Sequence, residues 1–302
     1  MLKTINRVKL DDLDINTGKK VRLHRLLYEH GPANGTVMLL PIDQGLEHGP
    51  IDFFPNPDSV DPEYQFRIAL EGSFSGIALH IGLAEKYFRR YAGRVPLVLK
   101  LNGKTNIPSD AQAFSPQVAG VEDAVRLGAD AVGYTLYVGS VAQDEDFIQL
   151  MSIRQEAERF GMPLIIWSYP RGEAVENKGG RDSLYAVDYA ARVASEVGAD
   201  IIKLNFPKLN TPKAANSPAP YNDLKISLPD AVAKIVSSAG KAMVIFAGGS
   251  KLSDEDLLNK VRIAMEAGGT GLIFGRNMWQ RPHENAMVIS KKIHGILNEF
   301  SG

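Results

Sequence analysis

Eight short apolar segments constrain the fold of this chain more than any other feature. Each is five to eight residues long, and most are rich in Val, Ile and Leu, as strands buried on both faces usually are. More polar stretches separate them. The segments occupy residues 37–43, 75–81, 96–101, 129–136, 163–169, 199–205, 242–248 and 271–275.

Amphipathic stretches of helical length lie between most of these segments and after the last. Several end in Gly followed by the next apolar segment, which is typical of a helix C-cap. The pattern predicts a (β/α)8 TIM barrel. An open doubly wound sheet is the alternative, but no G-x-G-x-x-G motif follows the first strand. The predicted helices lie in 61–72, 116–129, 144–161, 182–199, 252–269 and 283–300.

The predicted barrel forms one domain over residues 1–302, because no Pro- or Gly-rich linker divides the chain. Residues 1–36 precede the first strand as an N-terminal extension. Residues 205–225 are rich in Pro, Asn and Ala and are longer than an ordinary strand-to-helix connection. Long loops in compact domains are often functional, so we expect a role for this one.

Composition excludes several classes of function. The formal charge of −1 provides no basic patch for nucleic acid or a membrane surface. There are no cysteines, which excludes disulfides and thiolate metal ligands. No apolar run reaches the roughly 18 residues of a membrane span, and the N-terminal residues lack the apolar core of a secretion signal. We therefore expect a cytoplasmic protein with neither nucleic acid nor membrane as a partner.

The chemistry of such a barrel lies at the carboxyl ends of its strands. This rule selects several side chains at the ends of the eight segments. They are Asp43, Glu47 and His48 after the first strand, Lys100 on the third, Trp167, Tyr169 and Arg171 at the fifth, and Lys203 on the sixth.

Lys203 is the unusual member, because a lysine inside an apolar strand costs several kcal/mol unless it is solvated, paired or neutral. Its ammonium group could extend to solvent, form a buried ion pair with Asp43, or react as a nucleophilic amine. Lys100 could be a neighbouring cation that lowers the pKa of Lys203, or could itself be the nucleophile. Tyr169 fits either a general acid and base or a core residue with a solvated tip. Asp43 fits either an ammonium partner or a turn cap.

The ends of the seventh and eighth strands predict a phosphate site. Gly248, Gly249 and Ser250 follow one strand, and Gly275 and Arg276 follow the other. Barrels commonly bind phosphate between these two loops, and a guanidinium suits phosphate oxygens. The alternative is a tight glycine turn with an arginine that pairs with a surface carboxylate.

A catalytic metal is not expected. Only His48 and His80 lie near the predicted active face, and the histidine spacing contains no H-x-x-x-H pattern. We expect no metal and no cofactor.

Six motifs in order resemble the archaeal-type class I fructose-bisphosphate aldolases. They are LLPIDQGLEHGP (39–50), KLNGKT (100–105), IIWSYPRG (165–172), GADIIKLNFP (198–207), FAGGSK (246–251) and GLIFGRNMWQR (271–281). The resemblance runs from about residue 20 to the C-terminus. It implies a metal-independent (β/α)8 barrel that forms a Schiff base with its substrate.

The resemblance also implies roles for individual residues. Lys203 corresponds to the Schiff-base lysine, Tyr169 to the general acid and base, and Asp43 to the aspartate of the first strand. Trp167 would line the site. The phosphate cradle falls on Gly248, Gly249, Ser250, Gly275 and Arg276, and His48 would assist the second phosphate. We place Arg171 and Lys100 among the residues that bind substrate or phosphate.

The implied reaction is reversible cleavage of fructose 1,6-bisphosphate into dihydroxyacetone phosphate and glyceraldehyde 3-phosphate, a step of glycolysis and gluconeogenesis. The alternative is a related Schiff-base aldolase or transaldolase that acts on another phosphorylated keto compound, similar to aminoheptulosonate synthase. The family also implies a homo-oligomer, commonly a decamer built from pentamers.

Overall fold

The computed structural model describes residues 7–300, which contain eight parallel strands closed into a barrel. Each strand pairs with its neighbours in chain order, and β8 closes the ring on β1 with Gly271 opposite Val37. The predicted (β/α)8 barrel is confirmed, and the open-sheet alternative is wrong. The strands are β1 (Val37–Pro41), β2 (Gly76–His80), β3 (Leu97–Lys100), β4 (Ala131–Val138), β5 (Leu164–Pro170), β6 (Ile201–Asn205), β7 (Met243–Ala247) and β8 (Gly271–Ile273).

Helices surround the barrel. They are α1 (Thr17–His24), α2 (Gln44–Glu47), α3 (Pro62–Glu71), α4 (Ile81–Tyr87), α5 (Val121–Arg126), α6 (Gln143–Arg159), α7 (Glu173–Asn177), α8 (Leu184–Glu196), α9 (Leu228–Ser238), α10 (Asp254–Glu266), α11 (Arg276–Trp279) and α12 (His283–Asn298).

Two differences from the predicted helices have local causes. The helix expected over 116–129 begins only at Val121, because Gly120 is its N-cap and Gln117 pairs with Asn102 beyond the end of β3. Six helices were not predicted, namely α1, α2, α4, α7, α9 and α11, and the two longer ones between strands, α4 and α9, show why. Ile81 starts α4 directly after β2 with no turn residue between them, and α9 follows a Pro- and Ser-rich stretch in which Ser227 caps the helix.

The strands are almost entirely buried because side chains cover both of their faces. Leu39, Val98, Ile165 and Ile245 belong to the cluster inside the barrel, whereas alternate positions pack against the helices outside. This is the reason that the segments contain continuous apolar runs rather than alternating ones.

The N-terminal extension covers the amino ends of the strands. Leu23, Leu26 and Leu27 pack into the interior cluster. The buried Lys19 ammonium lies 3.0 Å from the Asp200 carboxylate, which in turn accepts a hydrogen bond from the backbone N–H of Leu164. Asp200 is therefore a structural residue of the barrel floor. Since the floor is filled, access to the barrel is from the carboxyl ends.

The long loop runs from the end of β6 to α9 and contains one short 3₁₀ turn, Ala214–Asn216. Its tip is anchored, because the Tyr221 hydroxyl donates to Asp188 over 2.6 Å. A role for this loop stays a prediction. No helix within residues 7–300 is both long and apolar enough to cross a membrane.

Candidate active site

A cavity of about 660 Å³ opens at the carboxyl ends of the strands. Side chains from β1, β5 and β6 and from the loops after β3, β7 and β8 line it. The predicted residues that line it are Asp43, His48, Tyr169, Arg171, Lys203, Gly248, Gly249, Ser250, Gly275 and Arg276. The strand-end rule thus brought ten of the twelve predicted site residues to one cavity, and the two exceptions are Trp167 and Lys100.

Lys100 lies below the cavity and is fully saturated with partners. Its ammonium group donates to Asp43 (3.3 Å), Glu47 (2.9 Å) and Thr135 (2.8 Å), and its side chain is completely buried. Burial opposes the charged form, but the carboxylates of Glu47 and Asp43 outweigh it and raise the pKa of Lys100 above its ordinary value. Lys100 does not line the cavity, and its expected role in binding substrate or phosphate stays a prediction.

Lys203 has the opposite environment. Within residues 7–300 its amine makes no hydrogen bond or ion pair, and it lies 5.0 Å from the ring centre of Trp167 and 5.4 Å from that of Tyr169. Burial is the main reason that the pKa of Lys203 falls to about 8, with the nearby Lys100 ammonium contributing in the same direction against the attraction of Asp43. The alternative of a Lys203–Asp43 ion pair is not observed, because Asp43 pairs with Lys100 instead.

At pH 7 a lysine with this pKa is a free amine in about a tenth of the molecules, compared with a few in ten thousand for an ordinary lysine. The environment of Lys203 therefore provides a reactive nucleophile at neutral pH.

Trp167 separates the two lysines. Its ring centre lies 4.6 Å from the Lys100 ammonium, and the side chain has no exposed surface. Trp167 therefore forms a layer beneath the cavity and contacts Lys203 without lining the site as predicted. Gly133 makes room for this layer, since a Cβ atom there would lie 2.6 Å from the Trp167 ring and 2.8 Å from Lys100.

Tyr169 is next to Lys203 and lines the cavity. Burial and then the charges of Glu47 and Asp43 raise the pKa of Tyr169 well above its ordinary value. The phenol is therefore protonated at any working pH and can act first as a proton donor.

Asp43 is ionised despite its burial, because Lys100 and Lys203 lower its pKa to about 2. Glu47 lines the cavity beside it, four residues later on α2, where its N–H donates to the Asp43 carbonyl. The strand-end rule includes Glu47, but no role was predicted for it from the sequence. The available signal was its spacing, since four residues is one helical turn from a selected carboxylate.

The loops after β7 and β8 approach each other closely. A Cβ atom at Gly248 would lie 2.5 Å from the Asn277 amide nitrogen and 2.9 Å from the Phe274 ring. The Asn277 side chain donates to the Ser250 carbonyl and accepts from the Leu252 N–H, which joins the two loops. The predicted phosphate residues thus form one continuous wall of the cavity.

Arg276 on this wall and the neighbouring His48 both contact Asp52. Arg276 lies 3.8 Å from its carboxylate, and His48 Nδ1 lies 2.7 Å from it. Arg276 thus pairs weakly with a carboxylate, as the alternative interpretation of the sequence expected. The long separation leaves its guanidinium group facing the cavity.

A second group of cations lies at the opposite side of the mouth. Lys104, Arg171 and Arg181 surround Asp110, with separations of 3.0, 3.2 and 3.0 Å. Only Arg171 was selected from the sequence. The other three residues lie in loops whose positions relative to the strand ends have no sequence signature.

Among residues 7–300, no three His, Asp or Glu side chains form a group that could hold a metal ion.

A profile of the DeoC/LacD family of aldolases matches residues 37–281, which include all eight strands. The chain belongs to this aldolase family. This match confirms the aldolase family that the sequence motifs predicted, and the closed barrel confirms the predicted fold.

Two curated relatives of this aldolase have fructose-bisphosphate aldolase in their names. The class 1 fructose-bisphosphate aldolase of Thermoproteus tenax is 42% identical over 82% of this chain and 84% of its own length. A Methanocaldococcus jannaschii protein named fructose-bisphosphate aldolase/6-deoxy-5-ketofructose 1-phosphate synthase is 32% identical over 98% of this chain and 93% of its own.

A solved archaeal fructose-1,6-bisphosphate aldolase, with its catalytic Lys covalently bound to the carbinolamine intermediate of the substrate, matches the whole barrel. It is 37% identical, has a TM-score of 0.75, and the match covers 93% of this chain and 100% of that one. This aldolase therefore shares its fold with an enzyme that forms a covalent bond between a lysine and its substrate.

Proposed function

We propose that this protein is a class I, Schiff-base fructose-bisphosphate aldolase and that Lys203 is its nucleophile. One observation carries the proposal. Of two buried lysines at the active face, Lys203 faces the cavity with an unpaired amine, whereas Lys100 is held by three acceptors. A Schiff base requires a neutral amine that the substrate can reach, and Lys203 alone of the two meets this requirement.

In the proposed reaction the Lys203 amine attacks the C2 ketone of fructose 1,6-bisphosphate and forms a carbinolamine. Loss of water gives an iminium ion, which accepts the electron pair released when the C3–C4 bond breaks. Removal of the C4 hydroxyl proton completes the release of glyceraldehyde 3-phosphate. Protonation of the resulting enamine at C3 and hydrolysis of the iminium release dihydroxyacetone phosphate and restore the amine.

Two neighbours assist this chemistry. Tyr169 lies beside Lys203 and is a protonated phenol, so we assign it the proton transfers of the carbinolamine and of C3. Asp43 is an ionised carboxylate on the cavity wall and orients the amine and the C4 hydroxyl. The reaction on this proposal requires no cofactor.

The two ends of the sugar bind at opposite sides of the cavity. We assign the C1 phosphate to the wall formed by the loops after β7 and β8, with Gly248, Gly249, Ser250, Gly275 and Arg276. Binding of the C1 phosphate holds C2 over Lys203, so the attack of the amine becomes effectively unimolecular. We assign the C6 phosphate to the opposite cations, Lys104, Arg171 and Arg181, because β3 and β5 lie across the barrel from β7 and β8. His48 lies between the two groups.

Borohydride reduction in the presence of dihydroxyacetone phosphate tests the proposal. We expect a stable adduct whose peptide map places the label on Lys203, and loss of the adduct in Lys203→Met. A label on Lys100, or no adduct at all, would contradict the assignment. Cleavage of fructose 1,6-bisphosphate, measured by coupled detection of the triose phosphates, tests the substrate.

A related transfer to another phosphorylated keto compound is the second candidate. The name of the Methanocaldococcus jannaschii relative includes such a second reaction. It would use the same lysine, so the measurement that separates the two is kcat/KM for each substrate.

A cytoplasmic location and a homo-oligomeric assembly stay predictions from the sequence and its family resemblance.

A further inference from the structure

Asp110 lies at the centre of the cation group that we assign to the C6 phosphate. Its Oδ1 is 3.0 Å from the Lys104 ammonium, and its Oδ2 is shared between Arg171 (3.2 Å) and Arg181 (3.0 Å). All four side chains line the cavity. A subsite for a dianion thus has a carboxylate in its middle, and the function described so far gives no reason for it.

The match between Asp110 and the three cations is incomplete. A carboxylate has two oxygens, so the two arginines must share one of them. A phosphate group carries three terminal oxygens and up to two negative charges, and can give each cation an oxygen of its own. The three cations Lys104, Arg171 and Arg181, called the triad below, therefore match a phosphate group better than they match the Asp110 carboxylate.

Each of the three cations has a further contact besides Asp110. Arg171 also donates to the Pro170 carbonyl over 2.8 Å and lies 5.3 Å from the Tyr169 ring centre. Lys104 donates to the Thr105 carbonyl over 3.2 Å.

Arg181 has a second anchor of the same kind. Its backbone N–H donates to the Glu176 carboxylate, and its guanidinium lies 3.9 Å from that group. Removing the Asp110 charge would therefore leave the triad in place and available.

Among the residues that the structure describes, the Asp110 side chain does not stabilise the fold around it through a contact other than those with the cations. It begins the 3₁₀ turn Asp110–Gln112, and within residues 7–300 its carboxylate contacts only the three cations and caps no backbone N–H. The side chain is about one third exposed, so a neutral replacement does not disturb a core.

We propose that Asp110 is an internal counter-anion that occupies the distal phosphate subsite until the sugar displaces it, and so sets how strongly the enzyme prefers doubly over singly phosphorylated sugars. The inference rests on the proposed function, which supplies a substrate with a phosphate at each end. The displaced carboxylate limits the affinity for the distal phosphate, which also favours release of the phosphorylated aldehyde.

Asp110→Asn tests this inference because it removes the charge and keeps the shape. We expect KM for fructose 1,6-bisphosphate to fall roughly fivefold, the effect of removing one partly screened like charge. KM for fructose 1-phosphate, which lacks the distal group, should not change. Asp182→Asn is the matched control, since Asp182 also lines the cavity but pairs with Lys208 and not with the triad.

A binding measurement separates this inference from the proposed reaction. Titration with hexitol 1,6-bisphosphate, in which an alcohol replaces the ketone, reports affinity without imine formation, and Asp110→Asn should bind it roughly fivefold more tightly. Weaker binding would mean that Asp110 orients the cations. Unchanged binding, or an equal gain in Asp182→Asn, would also overturn the inference. Wild-type protein that binds this compound but forms no adduct with dihydroxyacetone phosphate would refute the proposed reaction and leave the Asp110 comparison valid.

Discussion

Replacing Lys100 with methionine tests the electrostatic origin of the reactive amine. In the wild-type protein the Lys100 ammonium neutralises Asp43 and Glu47 at 3.3 and 2.9 Å and repels the charged form of Lys203. Lys100→Met removes this repulsion and leaves two unpaired carboxylates that attract the charged form of Lys203. Both changes favour the ammonium form of Lys203, so its pKa should rise.

The size of the shift follows from the geometry. Both lysines lie against the Trp167 ring, at 4.6 and 5.0 Å from its centre, so their nitrogens are no more than about 10 Å apart. At an effective dielectric constant of about 20, two charges at that distance repel by roughly 2 kcal/mol, a little more than one pKa unit. With the added attraction of the unpaired carboxylates, we expect the pKa of Lys203 to rise by about one to two units.

The assay is the pH dependence of kcat/KM for fructose 1,6-bisphosphate, since its acid limb reports the free enzyme. The nucleophile reacts as the neutral amine, so a higher pKa lowers the rate below that pKa and leaves it unchanged well above. We therefore expect a loss of roughly 10- to 100-fold at pH 7 that recovers at alkaline pH. The pH dependence of the borohydride-trapped adduct should show the same shift.

Glu47→Gln is the opposing control, because it removes a carboxylate that raises the pKa of Lys203. Its acid limb should move to lower pH. Breaking the buried pair in Lys100→Met should also cost about 3–5 kcal/mol of stability, and the double variant with Glu47→Gln should recover part of it. A uniform drop in rate with the acid limb at the wild-type pH would refute the reasoning.

Three further predictions concern the same cavity. Tyr169→Phe should lower kcat by roughly 10²- to 10⁴-fold without shifting the pH profile, because the phenol whose pKa is raised does not titrate in the working range; a shifted profile would contradict this. Lys203→Met should raise the free energy of unfolding at pH 7, by roughly 3 kcal/mol, because the folded state holds an ammonium whose pKa is about 8 instead of its ordinary 10.5. The sign is set by the lowered pKa: wild-type stability rises between pH 8 and 10.5, so the advantage of the variant in urea unfolding should vanish above that range. Gly248→Ala should raise KM for the bisphosphate and cost about 1–3 kcal/mol, because its methyl group collides with Asn277 and Phe274; unchanged KM and melting temperature would show that the two loops can separate.

The fold was predictable because its signal is local. A strand covered on both faces needs an apolar run of about five residues, and eight such runs with helices between them have few other arrangements. Two of the helices that escaped prediction, α4 and α9, begin at positions that are hard to recognise in the sequence. Helix α4 starts one residue after β2, and α9 follows a long loop whose Pro and Ser residues hide its first turn.

The site was partly predictable for the same reason. Parallel strands bring their carboxyl ends to one face, so Asp43, Tyr169 and Lys203 had to approach each other once the barrel was assumed. Lys104, Asp110 and Arg181 were not found, because their positions depend on how two irregular loops pack over that face.

Lys100 and Lys203 show which properties of the site the sequence determines and which depend on the tertiary structure. Both stand in the same tripeptide, Lys-Leu-Asn, at 100–102 and 203–205, and both follow apolar residues at the end of a strand. The sequence by itself determined that each is buried near the carboxyl end of the barrel. Only the tertiary structure decided which amine is left unpaired and able to react, because α2 places Glu47 on Lys100, fifty-three residues away in the chain. Within the described residues 7–300 no carboxylate pairs with Lys203, and burial without a partner is what lowers the pKa of its amine.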